Sequence, residues 1–191
     1  MTDGQARREA ILWAQAEIAR TPVYLDTETT GLKDFDEIVE VCILDSDARV
    51  LLESLVKPRG RISVEAASLH GITHGMVKDA PTWPEIWPTV EAALAGRRVE
   101  IYNADFDLRL MQQSHGKYGL SWPAQAVNPS CLMKLYSKFR GEWNYRARAY
   151  RWHSLEAAGQ QCHLPLPNTH RAKDDALLAR AVLQYMAAAQ R

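Results

Sequence analysis

The run Val23-Tyr24-Leu25-Asp26-Thr27-Glu28-Thr29-Thr30-Gly31-Leu32 constrains this chain more than any other stretch. It opens on apolar, β-prone residues, sets two carboxylates one residue apart, and turns on a glycine. In an extended strand, side chains two apart share a face, so Asp26 and Glu28 project together. Like charges so close repel, and a cation between them removes the repulsion. A buried strand ending in this way is a candidate site for a hard, oxygen-seeking metal ion. A strand end whose acids face water is the plain alternative, and the two readings part on whether other segments supply further ligands.

Composition narrows the class. With 191 residues, 47% of them apolar and 24% charged, the chain fits one domain with a full core. No apolar run has the length to cross a bilayer, and the first ten residues are too polar for a signal peptide. A cytoplasmic protein without membrane contact is therefore expected. Cys42, Cys131 and Cys162 are odd in number and widely spaced, as reduced thiols are, rather than paired in disulfides or around zinc. Lys and Arg total 23, as do Asp and Glu, so nucleic acid would have to be held by a local basic surface or through bound cations.

Periodicity divides the chain into an N-terminal helical extension, 1–22, and one domain, 23–191. The extension reads as an amphipathic helix over 3–20, with Asp3 as cap, Ile11, Leu12 and Ile18 in its apolar stripe, and Thr21-Pro22 as stop. It is expected to pack on the outside of the domain. Strands are predicted over 23–28, 37–44 and 50–56, the last two forming an antiparallel hairpin through Asp45-Ser46-Asp47. A loop and helix region covers 62–73, and a helix runs from 83 to 94, stopped by Gly96. A strand over 98–103 leads into a helix carrying Leu108, Leu110 and Met111. A strand over 125–130, a helix from Cys131 and helices over 154–161 and 173–189 complete the chain. Strands in a meander, then strands alternating with helices, predict an α/β fold with a mixed sheet.

Two more acids fall where α/β folds place their sites. Asp107 sits where a strand passes into a helix, and Asp175 begins the last helix, five residues after His170. Singly, each is an ordinary first-turn acid. Three runs stand out together: Asp26-Thr27-Glu28-Thr29-Thr30-Gly31-Leu32, Asn103-Ala104-Asp105-Phe106-Asp107 and His170-Arg171-Ala172-Lys173-Asp174-Asp175, with Glu65 followed by His70-Gly71-Ile72 as a smaller feature. In these runs the chain resembles the histidine branch of the DEDD superfamily of 3′–5′ exonucleases, which includes the proofreading epsilon subunit, RNase T and oligoribonuclease. The motifs stand in the family's order and span nearly all the chain after residue 22.

The resemblance implies an RNase H-like fold, a five-stranded mixed sheet flanked by helices. It implies that Asp26, Glu28, Asp107 and Asp175 hold two divalent cations, Mg²⁺ or Mn²⁺, and that His170 is the general base. Oxygen ligands suit such ions, and a pair about 4 Å apart can stabilise attacking and leaving oxygens together. Adjacent helical residues point about 100° apart, so one of Asp174 and Asp175 can join the site, and family spacing selects Asp175. Asp107 is selected over Asp105 in the same way. The tyrosine branch would place Tyr where Arg171 stands. Tyr102 departs from relatives that carry His there, and an effect on substrate contact or packing is expected.

The family's substrate contacts carry over to Thr29, Thr30, Gly31 and Leu32, with Leu32 wedged against the terminal base. They carry over also to Glu65, His70, Asn103 and Phe106. His70 as a helix-end residue bonded to backbone is the structural alternative. His70 and His74 have the i, i+4 spacing of zinc ligands but lack the Glu and thiols of such sites. A basic, aromatic insertion over about 134–152 interleaves Lys134, Lys138, Arg140, Arg146, Arg148 and Arg151 with Tyr136, Phe139, Trp143, Tyr145, Tyr150 and Trp152. Arg146, Arg148 and Arg151 are expected to contact single-stranded nucleic acid there. The alternative is an arm that packs its rings on its own core.

The function that follows is a metal-dependent 3′–5′ exonuclease releasing nucleoside 5′-monophosphates from 3′ ends, DNA being favoured over RNA. An exoribonuclease of the same family is the alternative. A non-catalytic nucleic-acid-binding adaptor should have lost a ligand or the base, and an RNase H-like endonuclease lacks a reason for the Thr-Thr-Gly-Leu run. A polymerase or other nucleic-acid-processing partner and a homodimer are left open.

Overall fold

The computed structural model describes residues 3–123 and 125–190, apart from the side chain of Asp3, so the cap expected of Asp3 lies outside the described side chains. The chain runs through α1 (Asp3–Ala19), β1 (Val23–Thr29), β2 (Ile38–Leu44) and β3 (Val50–Leu55). Three helices follow, α2 (Val64–His70), α3 (His74–Val77) and α4 (Trp83–Leu94), and then β4 (Arg98–Ile101). It continues through α5 (Ala104–Lys117), β5 (Asn128–Cys131) and α6 (Leu132–Arg140), then the two short strands β6 (Trp143–Asn144) and β7 (Ala149–Tyr150). It ends in α7 (Leu155–Gln161) and α8 (Ala172–Ala188).

The main sheet has five strands in the order β3-β2-β1-β4-β5. β1, β2 and β3 pair antiparallel, as their short connections require, and β4 and β5 join in parallel after helical crossovers. This is the expected α/β fold with a mixed sheet. Pro129 cannot donate to a ladder, which suits it to the edge strand β5.

Strand alternation divides the core in two. Tyr24, Cys42 and Leu44 face a cluster with α1, α6, α7 and α8. Val23, Leu25, Val41 and Ile43 face the other, with α4 and α5. Asp26 and Glu28 have the parity of Tyr24 and so lie on the α8 side. The central strand β1 therefore carries its carboxylates between two helical layers.

Several elements differ from the expected ones. The strand over 98–103 stops at Ile101 because Asn103 takes the left-handed conformation, φ 69°, and caps α5. The strand placed at 125–130 begins only at Asn128. The hairpin of β6 and β7 was not foreseen, since two-residue strands leave no alternation to read. Leu12 is exposed, and the buried stripe of α1 is instead Ala6, Ala10, Ile11 and Ala14. Small residues let α1 lie close on α6 and α8, where Ile11 is fully buried. Arg7 stacks 3.9 Å over the Phe139 ring and donates to its carbonyl, and Arg98 of β4 donates to the buried Glu17 at 3.0 Å. The extension is thus bonded to the core cluster rather than laid on its surface.

If α1 is a core element, Ile11→Ala should cost about 2–4 kcal/mol in urea unfolding. A loss below about 0.5 kcal/mol would mean that the helix is only loosely attached.

Candidate active site

At the carboxyl ends of β1 and β4, where such sheets form their crevices, an open groove of about 870 Å³ is lined by Asp26, Glu28, Asp107, Asp175 and His170. β1 delivers the first two. Asp107 comes from the first turn of α5, where its Oδ1 accepts from Thr27 Oγ1 at 2.7 Å. Thr27 points from β1 to the face opposite its neighbours, so the strand's own alternation ties α5 to the site. Asp175 comes from the first turn of α8 and accepts from Asn168 Nδ2 at 2.7 Å and the Thr169 amide at 3.2 Å. Donor atoms of Glu28, His170 and Asp175 all lie within 4.8 Å of one another.

The competing acids are placed elsewhere. Asp105 is exposed and pairs with Lys134 at 2.6 Å. Asp174 accepts from Thr169 Oγ1 at 2.7 Å.

Gathering these carboxylates in a desolvated cleft raises their affinity for protons. Burial and the charges of Asp107, Asp175, Glu28 and Glu40 hold Asp26 well above the usual carboxylate range. Burial first, then Asp175, Glu40 and Asp107, push Glu28 up to about 8. Burial raises Asp107 to about 7 against the opposing bond from Thr27, and Asp175 to about 6 against His170 and Thr169. A cluster of hard oxygen donors, mutually repelling and facing one groove, is the donor set that Mg²⁺ or Mn²⁺ requires. The residues present fit a divalent cation.

The adjacent cation is already committed. Glu40 lies directly across from Glu28 in the β1–β2 ladder and is buried. Like charges so paired are destabilising. Arg171 offsets this by donating Nε to Glu40 at 3.1 and 3.2 Å and Nη2 to the same carboxylate, while the Ala172 amide donates to Oε2 at 2.9 Å. This clasp fixes the start of α8, and with it Asp175, at the rim of β2. It also fixes His170, which precedes Arg171 in the left-handed conformation, φ 52°. Sequence reasoning passed over Glu40. The available signal was an acid in the otherwise apolar Ile38–Leu44 run, where an unpaired charge would be costly.

The loop after β1 turns on a second unforeseen acid. Asp36 accepts from Thr30 Oγ1 at 2.7 Å and from the Lys33 amide at 2.7 Å, while Thr30 Oγ1 accepts from the Glu37 amide at 3.0 Å. A Cβ on Gly31 would stand 2.7 Å from the Asp36 carboxylate, so a side chain there would displace the acid that braces the loop. Thr30 is buried and does not line the groove, in contrast to the contact expected of it, because its hydroxyl serves the loop. Thr29, Gly31 and Leu32 do line it, and Leu32 is 75% exposed.

Glu65, Asn103 and Phe106 also line the groove. His70 borders it, but both ring nitrogens are engaged. Nε2 donates to the Thr29 carbonyl at 3.0 Å, and Nδ1 accepts from the Ile72 amide at 3.0 Å. It braces the end of β1 against α2, so as part of the groove wall it presents no free ring nitrogen. Tyr102 also lines the groove, its hydroxyl donating to the His153 and Ser154 carbonyls at 2.9 and 3.3 Å. Arg146, Arg148 and Arg151 do not line the groove. The segment 134–152 also divides. Tyr136 and Phe139 are buried on α6 within the core, which leaves the exposed rings, with Arg146, Arg148 and Arg151, to 143–152.

The chain is similar to known proteins over most of its length. The RNase T family model, described as Exonuclease, matches residues 23–183. Exonuclease CP81 of Escherichia phage 186, described as uncharacterised, is 39% identical over 170 residues, covering 86% of this chain and 87% of that protein. The DNA polymerase III PolC-type protein of Thermotoga petrophila is 30% identical over 172 residues, which cover 87% of this chain but 12% of the polymerase. The solved structure of Exonuclease X in complex with 5′-overhanging duplex DNA is similar with a TM-score of 0.63 and 26% identity, covering 86% of this chain and 90% of that one.

The Arg171–Glu40 clasp can be tested through a double-variant cycle. Arg171→Met leaves Glu40 buried and unpaired, and should cost about 1–3 kcal/mol of stability and at least about ten-fold in turnover. Adding Glu40→Gln removes the stranded charge and should restore much of the stability. Wild-type melting and turnover in the single variant would show that the clasp positions nothing.

Proposed function

The chain belongs to the RNase T exonuclease family, of the DEDDh, DnaQ-like type, and on that premise we propose that it degrades DNA from single-stranded or frayed 3′ ends, releasing nucleoside 5′-monophosphates. Membership makes it a 3′–5′ exonuclease and implies dependence on divalent metal ions. The observation that carries the finer reading is the convergence of Asp26, Glu28, Asp107 and Asp175 with His170 on one groove. DNA as substrate is supported by relatives named as DNA polymerase III proteins and by the duplex DNA in the Exonuclease X complex.

Asp26, Glu28, Asp107 and Asp175 would hold two ions, Mg²⁺ or Mn²⁺, which when bound supply the positive charge that favours ionisation of water and departure of the 3′ oxygen. The protein's own residues do the rest. Leu32, exposed at the end of the Asp36-braced loop, stacks on the terminal base and stops the strand in register. Glu65, Asn103 and Phe106 line the space for the terminal sugar and base. An imidazole nitrogen of His170 takes a proton from the attacking water. The new bond is from that oxygen to phosphorus, and the bond that breaks joins phosphorus to the 3′ oxygen of the penultimate nucleotide. That oxygen takes up a proton and becomes the new 3′ hydroxyl.

A polymerase partner is supported by relatives named as PolC-type DNA polymerase III, whose remaining length this chain does not share, and by relatives named as the epsilon subunit of DNA polymerase III. The homodimer left open above forms no part of this reading.

Digestion of 3′-labelled linear single-stranded DNA and of internally labelled circular single-stranded DNA with Mn²⁺ tests the proposal. Linear strands should yield labelled 5′-monophosphates, and circles should persist. Asp26→Ala should abolish release, and His170→Ala should slow it by about 10²–10⁴-fold. Cleavage of circles, or undiminished release by Asp26→Ala, would refute the reading.

A further inference from the structure

The hairpin between α6 and α7 is a surface that the groove does not use. It departs from the domain at Glu142 and returns at Arg151, whose amide donates to the Glu142 carbonyl at 2.8 Å. Its root is firm. Arg140 holds Glu142 at 3.0 Å, the buried His153 ring lies 3.6 Å from the same carboxylate, and the Tyr102 hydroxyl holds the His153 carbonyl. Two residues beyond Trp152, Ser154 begins the stretch Ser154-Leu155-Glu156 that lines the groove. The arm is therefore continuous with the groove wall.

Beyond the root, the arm is built to present rather than to pack. Trp143 pairs with Tyr150 across the hairpin, ring centres 5.0 Å apart, and Asn144 Oδ1 accepts from the Arg146 and Ala147 amides to fix the turn. Tyr145 is 85% and Trp152 61% exposed. Arg146, Arg148 and Arg151 are exposed and stand in no ion pair among the described residues, whereas Arg140 at the root is paired. Arg148 also holds φ 49°, a conformation that suits glycine better than a long side chain. A turn that accepts this cost places a cation at its tip, which lies roughly 10 Å from the root at strand spacing.

We propose that residues 143–152 grip the phosphates and bases of a single-stranded DNA substrate several nucleotides upstream of its 3′ end. The inference rests on the exonuclease reading and extends its substrate site. Unpaired arginines meet backbone phosphates, and Tyr145 and Trp152 give bases a stacking surface that does not discriminate among them. With zero net charge overall, such a local patch can hold a polyanion beyond the reach of cations bound in the groove. The grip requires strand length, so dinucleotides do not reach it.

Anisotropy with a 5′-labelled 20-nucleotide strand, in an Asp26→Ala background that spares the strand, tests the grip. Combining Arg146→Ala, Arg148→Gly and Arg151→Ala should weaken binding at least ten-fold near 0.1 M salt. It should also make the logarithmic salt slope shallower by about 2, from about 0.7 per lost phosphate contact. Tyr145→Ala with Trp152→Ala should weaken binding roughly ten-fold and leave the slope unchanged. The triple variant should melt no lower than the parent, since Arg146 and Arg151 are exposed and glycine suits the positive φ at 148, and this excludes misfolding as the cause. With catalytic residues intact, the triple-arginine variant should lose turnover progressively with substrate length, by less than about two-fold on a dinucleotide. Unaltered affinity and slope on the 20-mer overturn the proposal. Failure of the wild-type chain to cleave any strand refutes the exonuclease reading alone, since the affinity measurement still reads the arm.

Discussion

Mutual repulsion among buried carboxylates is the constraint on which the rest of this structure depends. Asp26 and Glu28 share a face of β1, Asp107 and Asp175 close on them from two helices, and Glu40 stands across the ladder. No fold gathers five such acids without either a counter-charge or protonation. The protein supplies one counter-charge, Arg171, and directs it to Glu40. The other four acids are left facing the groove with raised proton affinity. Arg171 and Glu40 also hold the segment that delivers His170 and Asp175, so one ion pair both limits the repulsion and sets the geometry.

The surrounding architecture maintains this arrangement. β1 is sealed between the two halves of the core, which fixes the backbone from which Asp26 and Glu28 project. Thr27 bonds Asp107 from one side of the strand, and His70 bonds the carbonyl of Thr29 at its end. Asp36 holds the following loop and leaves Gly31 no room for a side chain. Polar side chains thereby brace both the acid-bearing strand and the exposed Leu32.

The order of strands and helices was legible from alternation, turn residues and periodicity, because β1, β2, α4 and α8 are long and strongly patterned. The motifs carried the acids of the groove because their spacing is local. What the sequence hid was nonlocal or economical. Glu40 looked like a stray charge in an apolar strand until Arg171, 131 residues away, met it. His70 and Thr30 lie within the matching motifs but are consumed by backbone and loop bonds, which composition does not reveal. α1 buries alanines rather than Leu12, since close helix packing rewards small residues. The run 134–152 reads as one basic, aromatic stretch, yet α6 takes its first rings into the core and only the hairpin presents the rest.

The central claim is that the fold keeps its groove acids short of positive charge so that a divalent cation can supply it. Each acid's folded value lies above its ordinary one, so the folded chain holds protons that the unfolded chain has released. Their contribution to stability is full below about pH 4 and declines as pH rises toward about 8. Thermal unfolding from pH 5 to 8, with chelator and with millimolar Mn²⁺, measures this directly. The account predicts that Tm with chelator falls across that range, that Mn²⁺ restores about 5 °C or more at pH 8, and that Asp26→Asn diminishes both effects. A Tm with chelator that holds or rises to pH 8, together with no response to Mn²⁺, would contradict it.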